Sequence, residues 1–338
     1  MGIIYAWLWC FAAQLTDSAV TGEKNQKRVL LLGATGTAGR AVGAVLPAAG
    51  YGVVSFGRSA PDMPNMEVRT GDLSTPASVY YDGIRGEVFD AVVSCLASRT
   101  GAAAQAWDID YAANLNVLHV AAGAGVRQFV YISAICVQKP RLAFQRAKLA
   151  MEEALISSGM VYSIVRPTAF FKSLSGQVAR VREGKPFMVF GNGRLTACKP
   201  ISDRDLAAYV VRCLTDKSLQ NRILPIGGPG PAITPVDQAE ILGRLLGREV
   251  PLCRVPAGIL SVITGGLSVA GLLSFKAREK ADLARVGHYY GTESMLLWNG
   301  ECYDADATPE FGSDTLEEHY RRILAGEADA DLGTHAVF

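Results

Sequence analysis

The sequence predicts an α/β fold, a doubly wound parallel sheet with a smaller, mainly helical C-terminal portion. Three observations carry this. Short apolar runs of strand type recur through the first half. Stretches of helical spacing at 74–84, 104–124 and 142–158 separate the later runs. The first run ends in the glycine series Gly33-Ala-Thr-Gly36-Thr-Ala-Gly39. Strands that alternate with helices pair in parallel, and such sheets take ligands at their carboxyl edge. Length and composition agree: 338 residues, 49% hydrophobic and 19% charged, suit one large domain or two moderate ones and exclude wholesale disorder.

The run from Arg28 to Gly33 is the first strand, and Arg40 to Ala49 follows with helical apolar spacing. Between them each glycine has a separate task. Gly33 allows the tight turn, Gly36 lets the backbone approach a pyrophosphate, and Gly39 permits close helix–strand packing. The helix N-terminus supplies N–H groups for the anion, with Thr35 and Thr37 in the same loop. The second strand, Gly52 to Phe56, ends in Gly57-Arg58-Ser59. An acid at this strand end would hold the ribose 2′-hydroxyl of NAD. The chain has Arg58 there and no acid until Asp62, which points to a 2′-phosphate and to NADPH, the alternative being a solvated surface arginine. Val68 to Leu73 reads as a third strand with Asp72 as adenine-side acid and Leu73 beside it. Phe89 to Ser94 is a fourth, and Cys95, Leu96 and Ala97 lie where the second ribose passes. Gln128 to Ser133 and Val161 to Arg166 are the fifth and sixth, with Pro167 and Thr168 added to the cofactor-binding set.

The division expected is an arm or targeting remnant at 1–26, an NADP-binding domain at 27–170, a substrate-binding portion at 171–330 with no linker before it, and a tail at 331–338. Lys and Arg total 33 against 32 Asp and Glu, leaving no basic field for nucleic acid. The seven cysteines contain no C-x-x-C pair and the four histidines no H-x-x-x-H, so neither a disulfide scaffold nor a protein-held metal is expected. The apolar run Ile3 to Ala13 is too short to span a bilayer and reads either as part of an import signal or as an ordinary arm. Val255 to Phe275 is long enough to span, but its glycines and hydroxyls favour a buried or interfacial helix that lines a pocket or touches a membrane surface.

These residues resemble the extended and atypical short-chain dehydrogenase/reductases, whose doubly wound sheet is of Rossmann type. In that superfamily a Ser on the fifth strand and Tyr-x-x-x-Lys on the next helix polarise and protonate a carbonyl. Here Ser133 and Lys148 are in place, but the helix reads Phe144-Gln-Arg-Ala-Lys148. A phenyl ring donates no proton, so carbonyl reduction by the usual route is not expected, while Lys148 remains able to hold the nicotinamide ribose. The second half adds Arg166-Pro-Thr-Ala-Phe-Phe-Lys-Ser-Leu-Ser-Gly-Gln177 and Gly287-His-Tyr-Tyr-Gly-Thr-Glu-Ser-Met295. With F-Q-R-A-K, these are similar to the NADPH-dependent 8-vinyl reductases of divinyl (proto)chlorophyllide, over roughly residues 27–325.

The resemblance implies reduction of a vinyl group to ethyl on a magnesium tetrapyrrole. The place implied is a plastid, with possible peripheral contact to a photosynthetic membrane, or a bacterial cytoplasm. Hydride at the terminal vinyl carbon spreads charge over the macrocycle rather than onto one oxygen, so the tyrosine is dispensable. Lys148, Ser133, Lys172 or water is left to supply the proton. Phe170, Phe171, Phe187, Phe190 and Tyr290 are candidates for the cleft wall, with ordinary core packing the alternative. Arg166, Lys172 and Lys199 are candidates for the propionate or ester side, with a structural or cofactor-side role the better alternative for Arg166, which closes a buried strand. Tyr289 and Tyr290, beside His288, either reach the cleft or magnesium or simply pack, and Glu293 and Ser294 take no assigned role. Two other readings stand beside the enzyme: a non-catalytic NADPH-binding redox sensor, and a structural subunit of a membrane complex. Pigment binding separates them from the enzyme.

Overall fold

The computed structural model describes residues 26–64, 66–98, 102–256, 258–259 and 275–328, with backbone alone at 275–280. The Ile3–Ala13 run, most of the 255–275 run and the tail beyond residue 330 lie outside the described residues.

The principal strands are β1 (Arg28–Leu32), β2 (Gly52–Gly57), β3 (Glu67–Thr70), β4 (Ala91–Ser94), β5 (Gln128–Ile132), β6 (Val161–Pro167), β7 (Phe187–Phe190), β8 (Arg222–Ile226) and β9 (Leu252–Val255). All but β7 and β9 join one seven-stranded sheet in the order β3-β2-β1-β4-β5-β6-β8, and every pairing in it is parallel. The strand order reverses at β1, where the crevice between the ends of β1 and β4 is the usual ligand position of such a sheet.

Helices α1 (Thr37–Ala48), α2 (Asn114–Gly123), α3 (Ala143–Ser157) and α4 (Asp203–Thr215) cover the sheet. Alternation along β1 divides its side chains between two cores. Val29 and Leu31 pack with Val42 and Leu46 of α1 and Val210 of α4. Leu30 and Leu32 pack with Val117 and Leu118 of α2 and with Met151 and Leu155 of α3. Burial on both faces explains why R-V-L-L-L is continuously apolar rather than alternating.

Each of the six strand runs read from the sequence forms a strand. The third runs Glu67–Thr70 rather than Val68–Leu73, because the chain leaves the sheet at Gly71. A Cβ there would sit 2.6 Å from Ser78 Oγ and 2.7 Å from the Phe56 ring, so only glycine passes this bend unstrained. The seventh strand, β8, comes from the second half and pairs with β6. It is an edge strand whose Arg222 and Ile223 are exposed, which is where a proline such as Pro225 is tolerated.

The remaining second-half elements build a third core. The β7–β9 pair meets α5 (Pro235–Leu246), the last helix α7 (Leu316–Leu324) and the short helix Val178–Arg182 through Phe187, Val189, Leu242, Val181 and Tyr320. Between α5 and α7, α6 (Phe275–Thr292) runs back toward the carboxyl edge of the main sheet. There its Val286 and Tyr289 join Ile135, Cys136, Leu142, Cys198 and Met295 in a fourth apolar cluster.

Candidate active site

The glycine loop has the form its spacing requires. Gly33 has φ +75°, and a Cβ on it would lie 2.6 Å from the Cys95 carbonyl oxygen, so the loops after β1 and β4 touch backbone to backbone. A Cβ on Gly39 would lie 2.1 Å from Gly33 O, which fixes glycine at the first turn of α1. Gly36 differs: it is exposed, and its absent Cβ meets only Gly33 O, at 3.5 Å. No side chain caps α1 and no acid stands in its first turn, so its N–H groups face an open cradle suited to a pyrophosphate. Thr35 and Thr37 border that cradle, half-buried.

Arg58 is exposed just beyond β2. Its charge reaches Asp72, whose carboxyl lies below the usual range because Ser74 donates to it from both hydroxyl (2.7 Å) and backbone (2.9 Å), with Arg58 a smaller cause. Asp72 therefore shapes its own turn, and Asn116 holds the carbonyls of Leu73 and Ser74 behind it. Leu96 and Ala97 continue the edge past Cys95. On the far side Pro167 pairs with Ile226, and Thr168 donates from its backbone to Ile226 O at 2.9 Å and from its hydroxyl to Lys199 O.

Lys148 occupies the junction between these loops and the fourth cluster. Its ammonium donates to Ile132 O at 3.2 Å, lies 3.3 Å from Asp110 Oδ1, and stands 5.2 Å from the centre of the Tyr131 ring. Burial opposes its charge, but Tyr131 and Asp110 outweigh that and hold it above the ordinary lysine range. The same charge reaches the thiols of Cys95 and Cys136, although burial still pushes Cys95 up to about 12. Asp110 is fully buried and also accepts from Ser98 N at 3.3 Å. Asn114 steadies that segment, donating to the carbonyls of Ile109 and Asp110 while Ser94 donates to its side chain.

Ser133 is turned away from Lys148: its hydroxyl donates to Glu152, which is held from the other side by Arg166 Nε (3.0 Å) and Nη2. Arg166 is thus committed to a carboxylate inside the protein, and Lys199 likewise pairs with Glu310. Phe144, one helical turn before Lys148, is half-buried against the fourth cluster together with Tyr290, Ala169, Leu174 and Ile233. Of the candidate wall residues, Tyr290 alone joins Phe144 in this cluster. Phe171 and Phe187, 4% and 2% exposed, belong to the third core; Phe170 packs on the first, and Phe190 and Lys172 are half-buried outside all of these cores.

The Tyr289–Met295 segment has a clear structural part. Tyr289 donates to the carbonyls of Cys136 (3.0 Å) and Lys139 (3.1 Å). Glu293 accepts from Lys139 and Tyr303 and pairs with Arg141, Ser294 accepts from Ala197 N, and Met295 bridges Cys198. The C-terminal portion thereby clasps the 134–141 loop that leads into α3. The phenol of Tyr289 is consumed by this clasp.

Sequence reading missed Asp110, Asn114 and Glu152. The available signal was their spacing: Asp110 and Asn114, like Lys148 and Glu152, sit four apart on helical faces otherwise filled by apolar residues.

A parallel sheet of this order, an open glycine cradle at its switch point and a buried lysine at its carboxyl edge define a nicotinamide-dinucleotide-binding protein of reductase type. Residues 33–217 match the NAD(P)H-binding family. In structure the chain is similar to the NADPH-dependent quinone oxidoreductase of Escherichia coli solved with NADPH, with TM-score 0.64 and 19% identity over 88% of this chain and 99% of that one. In sequence it is 43% identical to the chloroplastic divinyl chlorophyllide a 8-vinyl-reductase of Cucumis sativus, over 93% of this chain and 81% of that protein. It is 42% identical to the Zea mays protein of the same name, over 93% and 84%. The chain belongs to the divinyl chlorophyllide a 8-vinyl-reductase family.

Proposed function

We infer that the protein reduces the 8-vinyl group of divinyl chlorophyllide a to an ethyl group, with NADPH as reductant, in a plastid. The observation that carries this reading is the extent of the identity: it covers 93% of the chain and so includes the second half, beyond the nucleotide-binding sheet. The relatives at 41–43% identity all carry the reductase name, so a redox sensor or structural subunit is not the favoured reading.

The cofactor set proposed is Gly33, Gly36 and Gly39 at the pyrophosphate, Arg58 at a 2′-phosphate, and Lys148 at the nicotinamide ribose. Bound there, the reduced nicotinamide supplies hydride. Asp110 and Ile132 O fix the Lys148 ammonium, so its position does not depend on a tyrosine at the Phe144 register. The cluster of Phe144, Tyr290, Cys136 and Leu174 supplies an apolar face for a flat macrocycle and excludes water from the reacting atoms. Holding those atoms within reacting distance is the main catalytic task, for which several kcal/mol of effective concentration is available. The portion from residue 171 is the substrate side.

The same site accepts protochlorophyllide carrying the 8-vinyl group. Among the described residues no helix is long and apolar enough to cross a membrane; the 255–275 run is proposed as a peripheral contact. The decisive experiment is anaerobic incubation of purified protein with NADPH and 3,8-divinyl chlorophyllide a. A blue-shifted Soret band with a mass gain of two hydrogens is expected. Unchanged pigment in the presence of protein-bound NADPH would refute the reading.

A further inference from the structure

We propose that Tyr290 is the general acid of this reduction: its phenol, entering the cleft from α6, supplies the proton that Phe144 lacks. The inference rests on the vinyl-reductase reading above. Three phenols approach Lys148 or Cys136, and two of them donate to backbone carbonyls. Tyr131 is fully buried under Lys148 and donates to Asp110 O at 3.3 Å. Tyr289 donates to the carbonyls of Cys136 and Lys139. Tyr290 stands edge-on to Tyr289, with ring centroids 5.8 Å apart at 90°, and remains half-buried. It packs on the same cluster as Phe144, with its hydroxyl beside the Cys136 thiol. A thiol is a weak acceptor, so the phenolic proton stays available to a ligand in the cleft. Ser133, the other hydroxyl predicted at the site, gives its proton to Glu152.

Two further features suit the role. Burial raises Tyr290 well above the ordinary tyrosine range, so it holds its proton until a strong base forms beside it. Gln145 Nε2 is buried without a hydrogen-bond partner, on the side of the cluster where Cys136 and Tyr289 meet, so the thiol beside Tyr290 has a spare donor behind it. In the step, the vinyl group gains hydride at its terminal carbon from the reduced nicotinamide. Its π pair, spread over the macrocycle, forms the C–H bond at the inner carbon as the Tyr290 O–H bond breaks. Solvent then reprotonates the phenolate.

The test uses the full-length protein with NADPH and 3,8-divinyl chlorophyllide a. Tyr290→Phe is expected to lower kcat at least about 100-fold, the ordinary contribution of a positioned acid, while NADPH and pigment dissociation constants stay close to wild type. In D2O the wild type places deuterium on one face of the inner carbon, and the residual product of Tyr290→Phe carries it on both. A near-normal kcat in the variant, or lost pigment binding in place of lost kcat, would overturn the proposal. So would labelling of both faces by the wild type, which needs no variant at all. If the wild type leaves the pigment unreduced, the vinyl-reductase reading itself has failed, and this inference with it.

Discussion

Asp110→Asn isolates the buried charge pair beneath the cleft. The side chains of Lys148 and Asp110 are 6% and 1% exposed and 3.3 Å apart. Asparagine keeps the shape and an oxygen for Ser98 N but leaves the ammonium with Ile132 O and the Tyr131 ring. Removing one partner of a buried pair costs about 3–5 kcal/mol, because the remaining charge stays desolvated. Unfolding entropy of about 2.1 cal/mol/K per residue over 338 residues turns that into a Tm loss of roughly 4–7 °C. The pH dependence has a definite sign. In the wild type the lysine is raised above 10.5, so the pair stabilises fully below that value and fades as pH climbs through the higher folded value. Without Asp110, Tyr131, itself raised by burial and neutral over this range, supplies no countercharge, so burial lowers the lysine, and a neutral amine no longer needs the carboxylate. The deficit should therefore be largest near neutral pH and shrink as pH approaches 10.5. Thermal melts of both proteins from pH 7 to 10 check this, with NADPH affinity measured in parallel. A Tm unchanged at pH 7, or a deficit that does not vary with pH, would refute the charged-pair argument.

Arg58→Ala should weaken NADPH far more than NADH, and equal losses in a fluorescence titration would remove the 2′-phosphate assignment. Gly36→Ala and Gly39→Ala should separate binding from folding. The first meets nothing closer than 3.5 Å, and should melt normally while losing cofactor affinity. The second places a methyl 2.1 Å from Gly33 O, and should be strongly destabilised. Phe144→Tyr should raise turnover little in steady-state assays, and a large gain would mean that a phenol at that register was the missing part. Glu293, buried but held below its ordinary 4.5 by Lys139, Tyr303 and Arg141, stabilises the clasp above that value and loses its effect as pH falls through the lower folded one. Glu293→Gln should accordingly show a shallower Tm decline than wild type below pH 4.5, measured by circular dichroism.

The first half of the fold was legible because its central strands are buried on both faces and its turns carry glycines with single tasks. Runs such as R-V-L-L-L and A-V-V-S have no other environment to suit, and Gly33 and Gly39 meet the obstacles their spacing implies while Gly36 is exposed and meets none. The second half was not, for two physical reasons. Strand β8 is an edge with exposed residues and a proline, so it lacks the apolar run that marks a central strand. The partners of Lys148, Ser133 and Tyr289 lie far away in sequence or are backbone carbonyls, and neither kind of partner leaves a local pattern. Ser133 shows this most clearly. Its position at the end of the fifth strand was readable, but the direction of its hydroxyl depends on Glu152, nineteen residues later.

The retention of Lys148 alongside the loss of tyrosine has an electrostatic consequence that ties the site together. In Tyr-x-x-x-Lys, a lysine cation beside the phenol favours its ionised form and so lets it serve carbonyl chemistry. Here the cation faces a fully buried carboxylate, and the register of the phenol holds a hydrocarbon ring. The net field that Lys148 and Asp110 project into the cleft is therefore small, and the surface offered by Phe144, Leu174 and Ala169 is apolar. A polarised carbonyl would find no counter-charge at that position. A conjugated vinyl group needs none, since the charge that develops on it is dispersed over the ring to which it is attached. On the function proposed above, the lysine would keep its hold on the cofactor side while Asp110 removes its influence from the substrate side, and both proposed roles follow from one ion pair that joins the 106–113 segment to α3.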